Sequence, residues 1–370
     1  MNTPLKKGDS MTEGLKRTPL YEAHLALGGK MVDFGGWALP VQYSSILDEH
    51  RAVRENCGLF DVSHMGELFI KGPEALKLLQ RLMTNDFSTL KPCSCRYSPM
   101  CYPSGGTVDD VLVYMFNEEK YLLVVNASNT KKDFDWINAN ADGLNVLVAN
   151  ESERFAEVAL QGPCAEEVLA PLCSMALPEK YFSFNSKLTV AGVPAIVSRT
   201  GYTGEDGFEV YYEAKYGLDL YNALLDRVQS AGGLPCGLGS RDTLRFEAGM
   251  PLYGHELSES ITPKEAGLGF AIKLNKEAFI GKEALTAEPS RKRIGLKLLE
   301  RGIAREQCEV FLNGKLIGIT TSGGPAPTLG GNYAMALVDI SAKDAKEFEV
   351  SVRGRKLKAE AAALPFYKRA

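Results

Sequence analysis

One pattern occurs twice in this chain and restricts its fold more than any other feature. Residues 67–79 read ELFIKGPEALKLL, and residues 157–169 read EVALQGPCAEEVL. Each copy begins with an apolar run of strand character, turns at Gly-Pro, and continues with apolar residues at helical spacing. Proline suits the first turn of a helix, where the N–H it lacks has no intrahelical partner. Gly-Pro also precedes many unrelated helices, so the repeat rests on the matched strand and helix around it. Two such units predict two related lobes of α+β type.

The rest of the chain fits around these copies. Thr18 to Tyr43 reads as the first ordered segment. Ile46, Leu47, His50, Val53 and Cys57 then recur at helical spacing, with Gly58 as the expected C-cap. Strands are predicted at Val111–Phe116, Tyr121–Asn126, Leu188–Val190, Ala195–Arg199 and Phe208–Tyr212. Helices are predicted at Leu218–Val228 and Arg241–Ala248. Beyond Arg291 the pattern changes to short strands around Asn313-Gly314 and Arg353-Gly354, and Asn-Gly is a strong signal for a tight hairpin. This C-terminal stretch reads as a small all-β barrel. The expected division is a leader at 1–17 without fold, a first α+β lobe from 18–50 with 145–280, a second α+β lobe at 51–144, and a barrel at 281–370.

Composition narrows the function. The net charge of −4 argues against a chain built to hold nucleic acid, which needs a basic face. No run of about eighteen apolar residues is present, so no membrane-spanning helix is expected. The start, MNTPLKKGDSMTEGLKR, lacks the apolar centre of a secretory signal and carries Asp9 and Glu13, unlike a mitochondrial presequence. The eight cysteines are too sparse in so long a chain for a disulfide framework, so reduced thiols and a cytoplasmic location are expected. Cys93, Cys95 and Cys101 cluster, but the paired spacing and nearby histidine of a zinc site are missing, so no metal is expected.

Several stretches have the residues for chemistry. SGGTVDDVLVY, Ser104 to Tyr114, sets two aspartates at the start of a strand. Neighbours on a strand point to opposite faces, so Asp109 and Asp110 are not expected to share one pocket. A carboxyl among apolar walls has a raised pKa and exchanges protons near neutrality. GYTGEDGFE, Gly201 to Glu209, combines three glycines with Tyr202, Glu205 and Asp206. It reads as a turn between two strands or as a loop that approaches a ligand. CGLGSRDTLRFEAGM, Cys236 to Met250, places Arg241 and Arg245 one helical turn apart. Arg245 is expected in an ion pair with Asp242 or Glu247, and His64 in a structural role. No Walker A loop, dinucleotide fingerprint, HExxH or GxSxG occurs, and no nucleophile–base pair is evident. Chemistry by positioning and electrostatics is expected.

The last two stretches together resemble the T-proteins of the glycine cleavage system, the folate-dependent aminomethyltransferases. FDVSHMGEL at 60–68, RYSPM at 96–100, YLLVVNAS at 121–128 and the Asp109-Asp110 stretch extend the resemblance from Thr18 to about Arg369. It implies three domains in a cloverleaf-like arrangement, two related lobes around a folate channel plus the C-terminal barrel. It implies that the chain passes the methylene carbon of an aminomethyl group, held on the dihydrolipoyl arm of lipoylated H-protein, to tetrahydrofolate. The products are 5,10-methylenetetrahydrofolate and ammonia. Tetrahydrofolate is then the co-substrate, and the lipoyl group belongs to the partner. The positions implied at the folate are Met65, Tyr97, Asp109, Asn126, Tyr202, Glu205 and Arg241, with Asp109 the catalytic candidate and Asp110 a weaker one. Glu205 matches a carboxylate that accepts both donors of the pterin edge. Pro99 departs from the pattern, since many members have glycine there. Arg291, Lys292 and Arg293 are candidates for docking H-protein.

Two other readings stay open. Folate-binding accessory proteins share the resemblance but have a KGCYxGQE-type motif; here Lys276 to Glu283 reads KEAFIGKE, with Ala278 replacing the cysteine. Folate-dependent demethylases of small methylated compounds differ mainly in residues facing the substrate.

Overall fold

The computed structural model describes residues 13–369. The leader expected up to residue 17 falls mostly outside the described residues. Its last two, Lys16–Arg17, form a short strand parallel to Trp37–Pro40. The chain divides into two compact units, Asn150–Asp242 with the stretch up to Leu68, and Phe69–Ala149 with the stretch from Thr243 onward.

The first unit is built on a six-stranded sheet in the order Phe184–Val190, Val193–Ser198, Gly207–Glu213, Phe155–Gln161, Gly58–Asp61 and Leu234–Cys236. One face is apolar: Val158, Leu160, Val197, Phe208, Val210 and Tyr212 are buried with Leu220, Leu224 and Val228 of the helix Gly217–Ser230. Alternation along the strands puts Glu157, Gln161, Glu209 and Tyr211 on the other face, with Glu157 opposite Tyr211. The helix covers the apolar face, and the polar side chains on the other face are buried as well.

The helix Ile46–Glu55 starts at Ser45, whose Oγ accepts from Asp48 N at 3.1 Å. Two expectations about it fail. Leu47 faces out at 48% exposure, while Glu49, His50, Ala52 and Val53 are the buried set. Glu49 is tolerated inside because Tyr43 N, Ser44 N and Gly237 N donate to its carboxylate. Gly58 is not a C-cap. Asn56 holds that position, and Gly58 opens a strand where a Cβ would lie 2.5 Å from Cys236 Sγ and from Val53 Cγ2.

The second unit contains a five-stranded sheet, Ser94–Cys101, Thr107–Asn117, Lys120–Val125, Gly66–Lys71 and Leu147–Asn150, and a closed six-stranded barrel. Pro99 sits in the edge strand Ser94–Cys101, where its missing N–H costs no ladder bond. The barrel's core is Ile294, Leu296, Val310, Ala336, Val338, Val350 and Leu357. Its hairpins turn at Asn313-Gly314, with φ of 51° and 78°, and at Arg353-Gly354, with 51° and 77°. Both residues are left-handed in each, as the tight turn between twisted strands requires. The α+β architecture and the C-terminal barrel agree with the sequence reading.

The repeat is visible in local geometry. Gly66–Lys71 leads through Gly72-Pro73 to the helix Ala75–Leu82, and Phe155–Gln161 leads through Gly162-Pro163 to Ala165–Leu169. Gly72 and Gly162 have φ of 132° and 127°, and each carbonyl accepts from the residue three on. Met83 and Cys173, which follow the two segments, share φ −92° and ψ 138° and each bridges a nearby strand. A Cβ on Gly162 would lie 2.4 Å from Asn56 O and 2.7 Å from Val53 O.

The two kinds of positive-φ glycine predict different costs. Gly192 also has positive φ, 82°, but nothing lies within 4 Å of a Cβ there. Gly192→Ala is expected to lower stability by about 1 kcal/mol, from backbone strain alone. Gly162→Ala adds collision with two carbonyls and is expected to cost about 3 kcal/mol or more. Urea midpoints at unchanged slope measure both, and equal losses would refute the steric account.

Candidate functional site

In the second unit, Asp109 and Asp110 lie on the strand Thr107–Asn117 opposite Met100 and Pro99 of the edge strand. Alternation does separate their exposure: Asp109 is fully buried and Asp110 half-buried. It does not separate their carboxylates. Asn126, the first residue after the strand Lys120–Val125, sets its Nδ2 2.8 Å from Asp109 Oδ1 and 3.0 Å from Asp110 Oδ1. The two were not expected to share one pocket, yet Asn126 touches both carboxylates; this bridge comes from the neighbouring strand and so is invisible in the Asp-Asp dipeptide.

The two carboxylates differ in their partners. Asp109 also accepts from Asn126 N at 3.0 Å and from Asn129 Nδ2 at 2.7 Å. Three donors hold it rigidly. Asp110 Oδ2 accepts from Tyr97 OH at 2.9 Å, and the Tyr97 ring stacks on Phe270 with centroids 6.0 Å apart. Burial, then the adjacent Asp109 charge, push the Asp110 carboxyl up to about 7. Asp110 is therefore the group of the pair that gains and loses a proton near neutrality.

A third carboxyl stands beside them. Asp133 lies on the helix Thr130–Ala139 and is fully buried, one turn before buried Ile137. A polar residue four positions from an apolar core residue was the signal that could have found it. Lys132, next to it, turns away to donate to Val108 O at 2.6 Å and Tyr253 OH at 2.8 Å.

In the first unit, the loop Thr200–Asp206 joins the hairpin strands Val193–Ser198 and Gly207–Glu213. The turn reading and the ligand-loop reading therefore describe one object. Gln161 anchors it: its Nε2 donates to Thr200 O, and its Oε1 accepts from Thr203 Oγ1. A Cβ on Gly201 would lie 1.9 Å from Gln161 Oε1, so only glycine lets the loop pack there. Glu205 is not a free carboxylate. Arg54 Nη1 donates to Glu205 Oε1 at 2.8 Å and to Thr203 O at 2.7 Å, with both side chains only 6% exposed. Nothing in the sequence links residues this far apart.

Arg241 falls in the first turn of the helix Leu238–Glu247, with its guanidinium carbon 4.9 Å from the Tyr202 ring centroid. Its Nη1 is buried and meets no acceptor among the described residues. A buried guanidinium nitrogen without an acceptor keeps a hydrogen that a carbonyl or carboxylate could accept. Met65 is half-buried in the turn after Asp61. His64, beside it, is buried against Phe34, and burial followed by the Arg241 charge pulls it down to about 4. It is a neutral imidazole at pH 7. Glu67 and Glu157 are pushed well above the usual carboxylate range, chiefly by burial.

Other candidates fall outside both groups. Arg245 pairs with Glu256 at 3.1 Å and donates to Ser322 Oγ at 3.0 Å. Leu252 to Leu257 curls Glu256 back onto the arginine, a partner beyond the Asp242 and Glu247 named from the sequence, and Glu247 also accepts from Thr328 N. Arg291 pairs with Glu265 at 2.8 Å. Lys292 and Arg293 border a cavity of about 450 Å³ with Lys343, which shares no residue with the aspartate group. Cys95 and Cys101 lie on one extended strand, about 20 Å apart over its length, so they cannot share a metal ion.

Comparison with known proteins matches nearly the whole chain. The family model for the GCVT N-terminal domain matches residues 20–276, and that for the glycine cleavage T-protein C-terminal barrel domain matches residues 291–368. The aminomethyltransferase of Geobacillus sp. (strain WCH70) is 51% identical over 363 residues, covering 96% of this chain and all of that protein. That of Bacillus mycoides (strain KBAB4) is 51% identical over 362 residues, covering 96% and 99%. Among solved structures, the glycine cleavage system aminomethyltransferase T from Bartonella henselae superposes with a TM-score of 0.87 at 34% identity, covering 96% of this chain and 98% of that one. With both family models matched in order and full-length relatives at half identity, the chain belongs to the glycine cleavage T-proteins, the aminomethyltransferase family.

Proposed function

We propose that the chain takes an aminomethyl group from the dihydrolipoyl arm of H-protein and transfers its methylene carbon to tetrahydrofolate. The carbon–sulfur and carbon–nitrogen bonds of the aminomethyl group break, and bonds to two folate nitrogens form. The two hydrogens leaving those nitrogens go to the lipoyl sulfur and to the departing ammonia. No net oxidation occurs, so no redox cofactor is called for. The full-length likeness to aminomethyltransferases carries this reading.

The geometry adds roles for the residues. Met65, Tyr97, Asp109, Asn126, Tyr202, Glu205 and Arg241 are the proposed folate contacts. Asp109, held by three donors, orients, and Asp110, poised near neutrality, exchanges the proton as ammonia leaves. Arg54 restrains Glu205 so that one oxygen is already fixed before a pterin arrives. A cytoplasmic location goes with this reading.

Turnover with tetrahydrofolate and aminomethylated H-protein tests it directly. Methylenetetrahydrofolate and ammonia are expected only when the lipoyl partner is present. Folate binding without turnover would indicate an accessory protein, and turnover on a small methylated compound alone would indicate a demethylase. Asp110 is protonated below about pH 7 and ionised above it. The pH profile of kcat is therefore expected to bend near 7. Asp110→Asn should remove the bend and lower kcat about 100-fold, and a bend that persists would refute the assignment. Arg54→Ala leaves a buried carboxylate without its counter-charge. It is expected to cost about 3–5 kcal/mol in urea unfolding and to weaken folate binding more than it lowers kcat.

A further inference from the structure

Asp133 is the one member of the aspartate group that the proposed reaction leaves without a task. It is fully buried, and both of its carboxyl oxygens meet no donor among the described residues. An ionised carboxylate in that position would be an uncompensated buried charge, which proteins avoid by protonation. Its neighbours favour the proton. Burial comes first, then the Asp109 charge, then a hydrogen bond shared with Asp109, and together they push the Asp133 carboxyl up to about 11. Asp110 acts in the same direction, and Lys132 opposes. Tyr102 and Tyr253, the other titratable groups near Asp133, are themselves pushed up, chiefly by burial. Two ionised aspartates could not donate to each other. Once protonated, Asp133 can donate to Asp109.

We propose that Asp133 is a positioning residue: a neutral carboxylic acid, delivered by the helix Thr130–Ala139, that donates its hydrogen to Asp109 and completes that carboxylate's set of donors. Asn126 N, Asn126 Nδ2 and Asn129 Nδ2 supply the other three. The four donors come from the turn and the helix that directly follow the strand Lys120–Val125. One local segment therefore fixes Asp109. Because Asn126 also touches Asp110, the orientation of Asp109 is transmitted to the group that titrates near neutrality. The proton state of Asp133 needs no assumption about the reaction; its effect on turnover rests on the aminomethyl transfer proposed above.

Two variants separate the donor from mere bulk. In D133N an amide keeps a hydrogen to donate and removes the carboxyl, while D133L fills the space without a donor. Infrared difference spectra at pH 8 are expected to show one protonated-carboxyl carbonyl band in the wild type that is lost in D133N, with the bands of Glu67 and Glu157 unchanged. D133L is expected to lower kcat about 10- to 100-fold with a smaller change in KM for tetrahydrofolate, and D133N to restore most of that loss. The Asp110 titration midpoint, followed in the same spectra, should move in D133L and stay in D133N. No band lost in D133N would mean that Asp133 is ionised and would overturn the proposal. An Asp110 midpoint and a kcat that are unmoved in D133L would overturn it as well. If wild-type chain shows no turnover, aminomethyl transfer fails, while the band and the Asp110 midpoint still decide the role of Asp133.

Discussion

Taking a carboxylate out of water is costly unless it is paired, hydrogen-bonded or protonated, and the interior of this protein is organised around that constraint. Each buried acid uses one of the three remedies. Asp61 is paired with His24 at 2.7 Å, Glu205 with Arg54 and Glu256 with Arg245. Asp109 and Glu49 collect donors from backbone and amides. Glu67, Glu157 and Asp133 have carboxyl pKa values raised chiefly by burial. Asp110 is pushed up to about 7, where the remedy changes with pH. That balance, rather than its place in an Asp-Asp pair, marks it for proton exchange.

The sheets make these burials possible. In the first unit one face carries Val158, Leu160 and Val210, and the core packs there. The other face is set by the same alternation to carry Glu157, Gln161 and Glu209. Gln161 and Glu209 both reach the loop at Thr200, and Gln161 also holds Thr203, so the polar side of the core strands positions a functional loop. A loop fixed in this way can present Glu205 without depending on its own short sequence for rigidity.

Much of this was legible in the sequence, and the failures have a common cause. The two strand–Gly-Pro–helix copies, the barrel hairpins and the loop at Gly201 were readable because their signals are local: turn residues, alternation and helical spacing. Leu47 misled because an apolar residue at the right period still lay on the outer face of its helix. Gly58 misled because a glycine after a helix serves a close contact as well as a cap. Arg54 at Glu205, Asn126 across two aspartates and Glu256 at Arg245 were beyond reach for one reason. Each pairing is made by tertiary structure, and no periodicity encodes which distant side chain arrives. Asp133 lies between these cases, since its place on the inner face of a helix is written in the spacing and its protonation is not.

Asn126 has a consequence for how the pair behaves as a whole. A single amide nitrogen lies within hydrogen-bond range of both Asp109 and Asp110. When Asp110 takes up a proton, the attraction on that nitrogen becomes lopsided, and the amide is drawn toward Asp109. The arrangement is a balance with a shared pivot: charge lost from one arm tightens the other without any backbone displacement. Such a couple can register the arrival of a proton at Asp110 as a change in the grip on its neighbour.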